Sequence, residues 1–221
     1  MILHPGTTLK HGDYKIVDKL GDGGFGITYL AEQTILGRTV AIKELFPSRI
    51  CVRNGSTVSV ATSSVRDDFN KQLRNFLKEA RNIALLKHPG IVPVIDMFEE
   101  NGTAYYVMDY IDGSSLDDVV KRDGALSEQK ALSYICDVCS ALDYVHSRDR
   151  LHLDIKPGNI MLDAEGRVIL IDFGTSKQYD EESGENTSTM LGITPGYAPA
   201  EQYIRGGVSH FEAATDIYSL G

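Results

Sequence analysis

Two acidic side chains, a lysine and an amide lie close together between residues 151 and 174. Asp154, Lys156 and Asn159 fall within a short loop, and Asp172 directly follows the second strand of a predicted hairpin. A carboxylate can orient a hydroxyl, a lysine can neutralise a phosphate, and carboxylate and amide oxygens can bind Mg²⁺. This grouping therefore predicts phosphoryl transfer.

A glycine-rich turn lies upstream, between two predicted strands. Gly21, Gly23 and Gly26 form a G-x-G-x-x-G pattern, which dinucleotide-binding folds also use before a helix. Residues 27–31 are β-branched and aromatic and predict a strand instead, so the glycines are expected to let a hairpin lie over phosphates. Lys43 follows in a third predicted strand, Val-Ala-Ile-Lys, and is the candidate phosphate-binding lysine.

Strand patterns dominate before residue 112, and helical patterns follow it. A helix that begins at Ser64 carries Glu79 on the flank of its apolar stripe, where this residue would pair with Lys43. Residues 45–62, between the strand of Lys43 and this helix, predict a small hairpin with a turn at Asn54-Gly55. We expect an α+β protein with two lobes, residues 1–111 and 112–221, and a cleft between them.

A long helix is predicted from Ser127, its cap, to about Ser147. Cys136 and Cys139 form a C-x-x-C inside it, but no second cysteine pair is present to complete a zinc site. We interpret the pair as structural, with Cys139 on the apolar stripe. The predicted stripe consists of Leu132, Ile135, Cys139, Leu142 and Val145.

Composition excludes several classes of function. The 221 residues carry a net charge of -9, which argues against a general nucleic-acid or anionic-membrane binder. No apolar run is long enough to span a membrane, and the N-terminal residues do not resemble a signal peptide. Three cysteines suit a reducing compartment, so we expect a cytoplasmic protein.

Together and in this order, the glycine loop, Val-Ala-Ile-Lys, Glu79, HLDIKPGN and Asp172-Phe173-Gly174 resemble the motifs of a protein kinase. The details are most similar to bacterial, eukaryotic-like serine/threonine kinases. The resemblance implies that ATP and Mg²⁺ are used to phosphorylate a protein serine or threonine. It assigns Asp154 as the catalytic base, Lys156 to the γ-phosphate, and Asn159 and Asp172 to the metal.

The resemblance also implies further sites. Residues 172–201 are similar to an activation segment, with Thr194 in the substrate-binding turn, and Asp216 would bind the catalytic-loop backbone. Candidate phosphorylation sites, which are equally consistent with plain loop residues, are Ser183, Thr187, Ser188 and Thr189. The nucleotide site would be lined by Leu20, Gly21, Gly23, Gly26, Thr28, Ala41, Lys43, Met108, Asp109, Ile111 and Met161.

The sequence departs from the family pattern in three places. Leu153 replaces the arginine that precedes the catalytic aspartate, so we expect activity to depend little on loop phosphorylation. Thr28 replaces a valine of similar shape. The chain ends at Gly221, where a central helix begins, so we expect a fragment of the catalytic domain that is weakly active or inactive by itself.

Two alternatives remain open. A small-molecule phosphotransferase of the aminoglycoside type has a similar catalytic loop, but Lys156 and the segment from Thr194 to Glu201 favour a protein kinase. A pseudokinase that serves as a scaffold would bind partners without chemistry. Pseudokinases usually lack at least one of the residues retained here, which are Lys43, Glu79, Asp154, Asn159 and Asp172.

Overall fold

The structure, a computed structural model, describes residues 2–23, 26–173, 194–203 and 211–221. It forms two compact units, the first comprising Met1–Leu85 and Pro93–Tyr110 and the second comprising Leu86–Val92 and Ile111–Gly221. The α+β class is confirmed, because a sheet with one helix builds the first unit and helices dominate the second. No helix within the described ranges has the length and apolarity that a bilayer crossing requires.

A six-stranded antiparallel sheet forms the first unit. Its strands lie in the spatial order β1-β2-β3-β4-β8-β7. Buried aromatic and β-branched side chains fill its core, as strand propensity favours. The strands are β1 (Thr8–Leu9), β2 (Tyr14–Asp22), β3 (Gly26–Gln33), β4 (Arg38–Leu45), β7 (Val94–Glu100) and β8 (Thr103–Asp109).

The predicted hairpin between β4 and the first helix is confirmed. β5 (Cys51–Asn54) pairs with β6 (Thr57–Val60) in an antiparallel ladder, and Gly55 in the turn has a φ of +60°, which favours glycine. The Val58 N–H donates to the Asn101 carbonyl in the β7–β8 turn at 2.7 Å. The insertion is therefore part of the packed first unit.

Helix α1 (Arg66–Ala84) starts two residues after the predicted position, behind a short 3-10 turn. Phe69, Phe76, Ala80 and Ile83 are its buried residues, and their spacing of seven, four and three residues is that of one helical face. Phe76 lies against the ring of Tyr106 on β8, with ring centroids 5.0 Å apart. The helix thus packs on the sheet face to which Tyr106 contributes.

Glu44 is completely buried and is surrounded by hydrogen-bond donors. It accepts hydrogen bonds from the Tyr29 hydroxyl at 2.9 Å and the Tyr105 hydroxyl at 2.8 Å, and it forms an ion pair with Arg53 of the hairpin. The Arg53 guanidinium also lies 4.8 Å from the centre of the Phe46 ring. Burial raises the pKa of both tyrosines, so their hydroxyls remain donors to the carboxylate.

In its described residues, the second unit combines a small sheet with the α-helices α2, α3 and α4, whose bounds follow. β9 (Gly113–Ser115), β10 (Ile160–Asp163) and β11 (Val168–Leu170) form an antiparallel sheet in the order β11-β10-β9. Ser115 and Ser127 cap α2 (Leu116–Asp123) and α3 (Glu128–His146) by accepting the Asp118 and Lys130 N–H groups. The last helix is α4 (Ala213–Leu220).

Residues 86–92 belong to this second unit, although the sequence-based division assigned them to the first lobe. Ile91 forms a parallel bridge with Leu170, and the Val92 N–H donates to the Leu170 carbonyl at 3.0 Å. Backbone pairing with β11 therefore places this segment in the second unit, although residues of the first unit precede and follow it in the sequence.

The predicted apolar stripe of α3 is wrong in part. Leu132 is 58% exposed and Cys139 is exposed, whereas Val138 and Ala141 are buried with Leu142 and Val145. The buried face is centred on the small side chain of Ala141, because Gly90 lies against it: a Cβ added to that glycine would lie 3.3 Å from the Ala141 Cβ. The predicted stripe omitted Val138 and Ala141, which the structure buries.

Removing one partner of the buried ion pair should strongly destabilise the first unit. We expect Arg53→Met to lower the free energy of unfolding by about 3–5 kcal/mol, because Glu44 would keep a buried charge without its cation. The double variant Glu44→Leu/Arg53→Met should be less destabilised than Arg53→Met alone. The control Arg66→Met, at an exposed position of α1, should change the free energy of unfolding by at most about 0.5 kcal/mol. Urea unfolding measures all three, and a harmless Arg53→Met would contradict the assignment.

Candidate active site

The loop between α3 and β10 brings Asp154 and Lys156 together with Thr194. Lys156 Nζ lies 2.7 Å from Asp154 Oδ2 and donates to Thr194 Oγ1 at 2.9 Å. The Thr194 hydroxyl in turn donates to Asp154 Oδ1 at 2.8 Å. A carboxylate and an ammonium group thus share one hydroxyl, as an arrangement that orients a hydroxyl and neutralises a phosphate requires.

Asn159 joins this cluster from the other end of the loop. Its amide nitrogen donates to the Asp154 carbonyl at 2.9 Å and to Asp154 Oδ2 at 2.8 Å. The Ile171 N–H donates to the Asn159 carbonyl at 3.0 Å, so the backbone that leads into Asp172 is tied to Asn159. One amide and one carboxylate fit Mg²⁺, which usually takes few protein ligands and completes its shell with phosphates and water.

Asp216 of α4 binds the start of the loop that carries Asp154 and Lys156. Its carboxylate is fully buried and accepts the N–H groups of His152 and Leu153 at 2.9 and 2.7 Å. The Nε2 atom of His146, the last residue of α3, lies 2.8 Å from the same carboxylate. Burial alone would raise the pKa of Asp216, but these hydrogen bonds outweigh it and the pKa is lowered.

His152 is buried as a neutral ring. The Asp154 N–H donates to its Nδ1, so Nδ1 carries no proton and Nε2–H donates to the Ile171 carbonyl at 3.2 Å. The ring also packs on Phe173, with centroids 4.4 Å apart. Burial lowers the pKa of His152, although the nearby carboxylates of Asp216, Asp154 and Asp172 partly oppose this shift.

In the first unit, Lys43 lies in the middle of β4. Thr28 of β3 is its neighbour on one side and Tyr106 of β8 on the other. Lys43 Nζ is 5.8 Å from the centre of the Tyr106 ring, whose hydroxyl donates to Glu79 Oε1 at 3.4 Å. One tyrosine therefore contacts both the candidate phosphate-binding lysine and the glutamate predicted to orient it.

The glycine turn is shorter than predicted, because β2 continues through Gly21 to Asp22 and β3 starts at Gly26. The Gly23 N–H donates to the Gly26 carbonyl at 2.9 Å. A Cβ added to Gly26 would clash with the Glu44 carbonyl oxygen. Gly26 is thus required for the close approach of β3 to β4, apart from any role at phosphates.

A comparison with models of protein families identifies the family of this chain. Residues 14–221 match the model described as a protein kinase domain. The chain belongs to the protein kinase family. The match includes the glycine turn, Lys43, Glu79, the catalytic loop and Asp172.

Bacterial serine/threonine protein kinases are among the relatives of this kinase chain. It is 36% identical to the serine/threonine-protein kinase PknB of Mycobacterium leprae over 213 residues, which are 94% of this chain and 31% of PknB. Identity to PrkC of Bacillus subtilis is 33%, over 95% of this chain and 29% of PrkC. The chain therefore spans about a third of the length of these relatives.

A solved kinase structure supports the fold. The structure titled PpkA-294 apo form superimposes with a TM-score of 0.83 at 30% identity, covering 99% of this chain and 75% of that one. The predicted fold class and the family resemblance are both confirmed.

The residues predicted to line the nucleotide site are distributed over both units. Ala41 pairs with Leu30 and with Met108 across the sheet, and Leu20 is 46% exposed near the end of β2. Asp109 ends β8 in the first unit, while Ile111 and Met161 belong to the second. Met161 lies on β10 between Ser115 and Ile169. Their roles at the nucleotide stay predictions.

Leu153, which replaces the family's arginine, is only 3% exposed. Its φ of +63° lies in the left-handed region, which costs a non-glycine residue roughly 1–2 kcal/mol. Asp172 has a similar φ of +60°. Such conformations persist where the surroundings fix them and are frequent at functional sites.

Sequence reasoning found Asp216 but missed two residues that act with it. His146 is 70 positions away from Asp216, and no short-range pattern marks the last residue of a helix as its partner. His152 was noted only as part of HLDIKPGN. The signal for it was a histidine between apolar residues directly before the catalytic aspartate.

The neutral, buried state of His152 predicts a pH dependence of stability. Its pKa is lower in the folded chain than in the unfolded chain, so the unfolded state takes up the proton first as pH falls. Above a pH of about 6.5, we expect His152 to cause no loss of stability. Below that pH, the free energy of unfolding should decrease by up to about 1.4 kcal/mol for each pH unit.

The measurement is the free energy of unfolding at pH values between about 5 and 7 for the wild type and for His152→Gln, whose amide can still donate and accept. In the variant, the slope of the free energy of unfolding against pH should be smaller by up to about 1.4 kcal/mol per pH unit, the contribution of one proton. The lowered pKa of Asp216 adds its own dependence only near or below the ordinary aspartate range. Identical slopes for the two proteins would mean that His152 is not held neutral.

Proposed function

We propose that this protein is an ATP- and Mg²⁺-dependent protein serine/threonine kinase that transfers the γ-phosphate to a protein hydroxyl. The observation that carries the proposal is the pair of Asp154 and Lys156 that shares the hydroxyl of Thr194, with the Asn159 amide bound to Asp154. A substrate serine or threonine would present the same chemical group. The names of the relatives, which are serine/threonine protein kinases, support the same substrate class.

Within this proposal, each polar residue of the catalytic loop has a separate task. Asp154 accepts or orients the proton of the attacking hydroxyl, while Lys156 balances the charge on the transferring phosphate. Asn159 and Asp172 would hold Mg²⁺, which when bound supplies positive charge to the phosphate oxygens. Lys43, oriented by Glu79, binds the α- and β-phosphates.

The nucleotide would be bound mainly by the first unit. Gly21, Gly23 and Gly26 offer backbone N–H groups to the phosphates without side-chain bulk. Leu20, Thr28, Ala41 and Met161 would contact the adenine. The segment from Met108 through Asp109 to Ile111 would contact the nucleotide beside it.

The acidic composition supports a protein partner and not a nucleic acid, because the net charge is -9. The dependence on ATP and the three free cysteines support a cytoplasmic location for this domain.

Two rival functions can be separated from the proposal in one experiment. Incubating the full-length protein with labelled ATP, Mg²⁺, a generic protein substrate and an aminoglycoside should place phosphate on serine or threonine of the protein substrate. Label on an aminoglycoside instead would indicate a small-molecule phosphotransferase. ATP binding without transfer to any acceptor would indicate a pseudokinase. That result would contradict the expectation from Asp154, Asn159 and Asp172, which pseudokinases usually do not all retain.

Substitutions should separate the roles of the two aspartates. We expect Asp154→Asn to lower the transfer rate by about two to four orders of magnitude while the Kd for Mg²⁺-ATP changes little, since this residue acts on the hydroxyl. Asp172→Asn should weaken Mg²⁺-ATP binding itself. Nucleotide titration and initial rates measure both effects. Equal losses of nucleotide affinity would contradict this division of roles.

Phosphorylation of the activation segment should matter little to activity. The candidate sites Ser183, Thr187, Ser188 and Thr189 lie outside the described residues, and Leu153 offers no cation to a phosphate there. We expect the variant with all four hydroxyl residues changed to alanine to keep at least about half of the wild-type kcat. Loss of transfer in this variant, with normal ATP binding, would show a phosphorylation switch.

A further inference from the structure

The peptide group between Leu153 and Asp154 is held at both ends. Its carbonyl oxygen, on Leu153, accepts a hydrogen bond from Gln202 Nε2 at 2.9 Å. Its N–H, on Asp154, donates to His152 Nδ1 at 3.3 Å. Because a peptide group is planar, these two bonds fix the rotation of the plane from which the Asp154 side chain projects. The bond from Gln202 is the shorter of the two.

The residue before this plane has a backbone conformation that needs external support. Leu153 is left-handed, with a φ of +63°, and its own N–H is bound to Asp216. Asp216 thus fixes the peptide group on the N-terminal side of Leu153, and Gln202 fixes the one on its C-terminal side. Among the described residues, the longer bond from the Asp154 N–H to His152 is the hydrogen bond on this peptide group that would remain without Gln202.

Gln202 is itself placed by its neighbours in the second unit. It lies in a short 3-10 helix at Ala200–Tyr203, and its N–H donates to the Pro199 carbonyl at 3.0 Å. The adjacent Glu201 accepts a hydrogen bond from the Thr215 hydroxyl of α4 at 3.1 Å. The turn that presents the Gln202 amide is therefore joined to the helix that carries Asp216.

We propose that Gln202 is a positioning residue for phosphoryl transfer, acting through the Leu153–Asp154 peptide. This inference rests on the kinase function proposed above. The segment 194–203 would then fix Asp154 twice, through its side chain by Thr194 and through its backbone by Gln202. Both contacts are hydrogen bonds between neutral donors and the catalytic loop, and neither requires the arginine that Leu153 replaces.

The experiment compares two substitutions of Gln202 with a matched control in the same chain. Gln202→Leu and Gln202→Glu keep the size of the side chain but remove its N–H donor at neutral pH. Gln129→Leu, at an exposed position of α3, controls for the loss of a glutamine. For each protein, kcat, the KM for ATP and the melting temperature are measured with a saturating protein substrate.

We expect both Gln202 variants to lower kcat by about tenfold to a hundredfold, since a small misplacement of a catalytic group has effects of this size. The KM for ATP and the melting temperature should stay within about twofold and about 2 °C of wild type, because the nucleotide contacts and the core are untouched. Gln129→Leu should match wild type in all three quantities.

Hydrogen exchange at the Asp154 amide gives a readout that does not depend on activity. Gln202→Leu should speed its exchange at least about tenfold without affecting the core amides of α3. Unchanged kcat and unchanged exchange would overturn the inference, as would a loss of kcat that the melting temperature fully explains. If the full-length wild-type protein transferred no phosphate, the proposed function would fail, and faster exchange would then support the contact alone.

Discussion

The buried carboxylate of Asp216 is the interaction on which the catalytic loop depends. A carboxylate removed from water is stable only if hydrogen-bond donors surround it. Asp216 obtains them from the ring of His146 and from the N–H groups of His152 and Leu153. These donors end α3 and begin the loop, so stabilising one charge fixes three chain segments against each other. The N–H group of the left-handed residue Leu153, directly before Asp154, is among the groups held by this charge.

A second buried carboxylate has the same effect in the first unit. Glu44 joins β3, β4 and β8 to the hairpin through Tyr29, Tyr105 and Arg53. Neighbouring residues of a strand point to opposite faces, so Glu44 packs on one face of the sheet while Lys43 faces the other. Restraining Glu44 from three sides also restrains the backbone that carries Lys43. Glu44 directly follows Lys43 in the chain, whereas Asp216 acts through the N–H of Leu153, the residue before Asp154.

The local parts of the structure could be predicted from the sequence. Short-range patterns locate the β5–β6 hairpin through Asn54-Gly55 and the α3 cap through Ser127, because the determining contacts lie within a few residues. The kinase motifs are also local, which is why the family could be recognised. Contacts between distant residues left no such pattern. No short-range pattern marked Arg53 as the partner of Glu44, or Gly90 as the residue that packs against Ala141.

The replacement of arginine by Leu153 changes how the catalytic loop can be controlled. A guanidinium that binds a phosphate forms a charge-assisted contact of roughly 1.5–3 kcal/mol, enough to shift a segment between two states when the phosphate is added. The Gln202 amide and the Leu153 carbonyl form a neutral contact of roughly 0.5–1.5 kcal/mol that no modification of the loop hydroxyls switches on. Because this contact is weaker, the turn at 200–203 must also be held by Thr215 and α4. We therefore expect the productive arrangement of the loop at Asp154 and of the segment 194–203 to depend on the hydrogen bonds around Asp216 and Gln202 and not on an added charge.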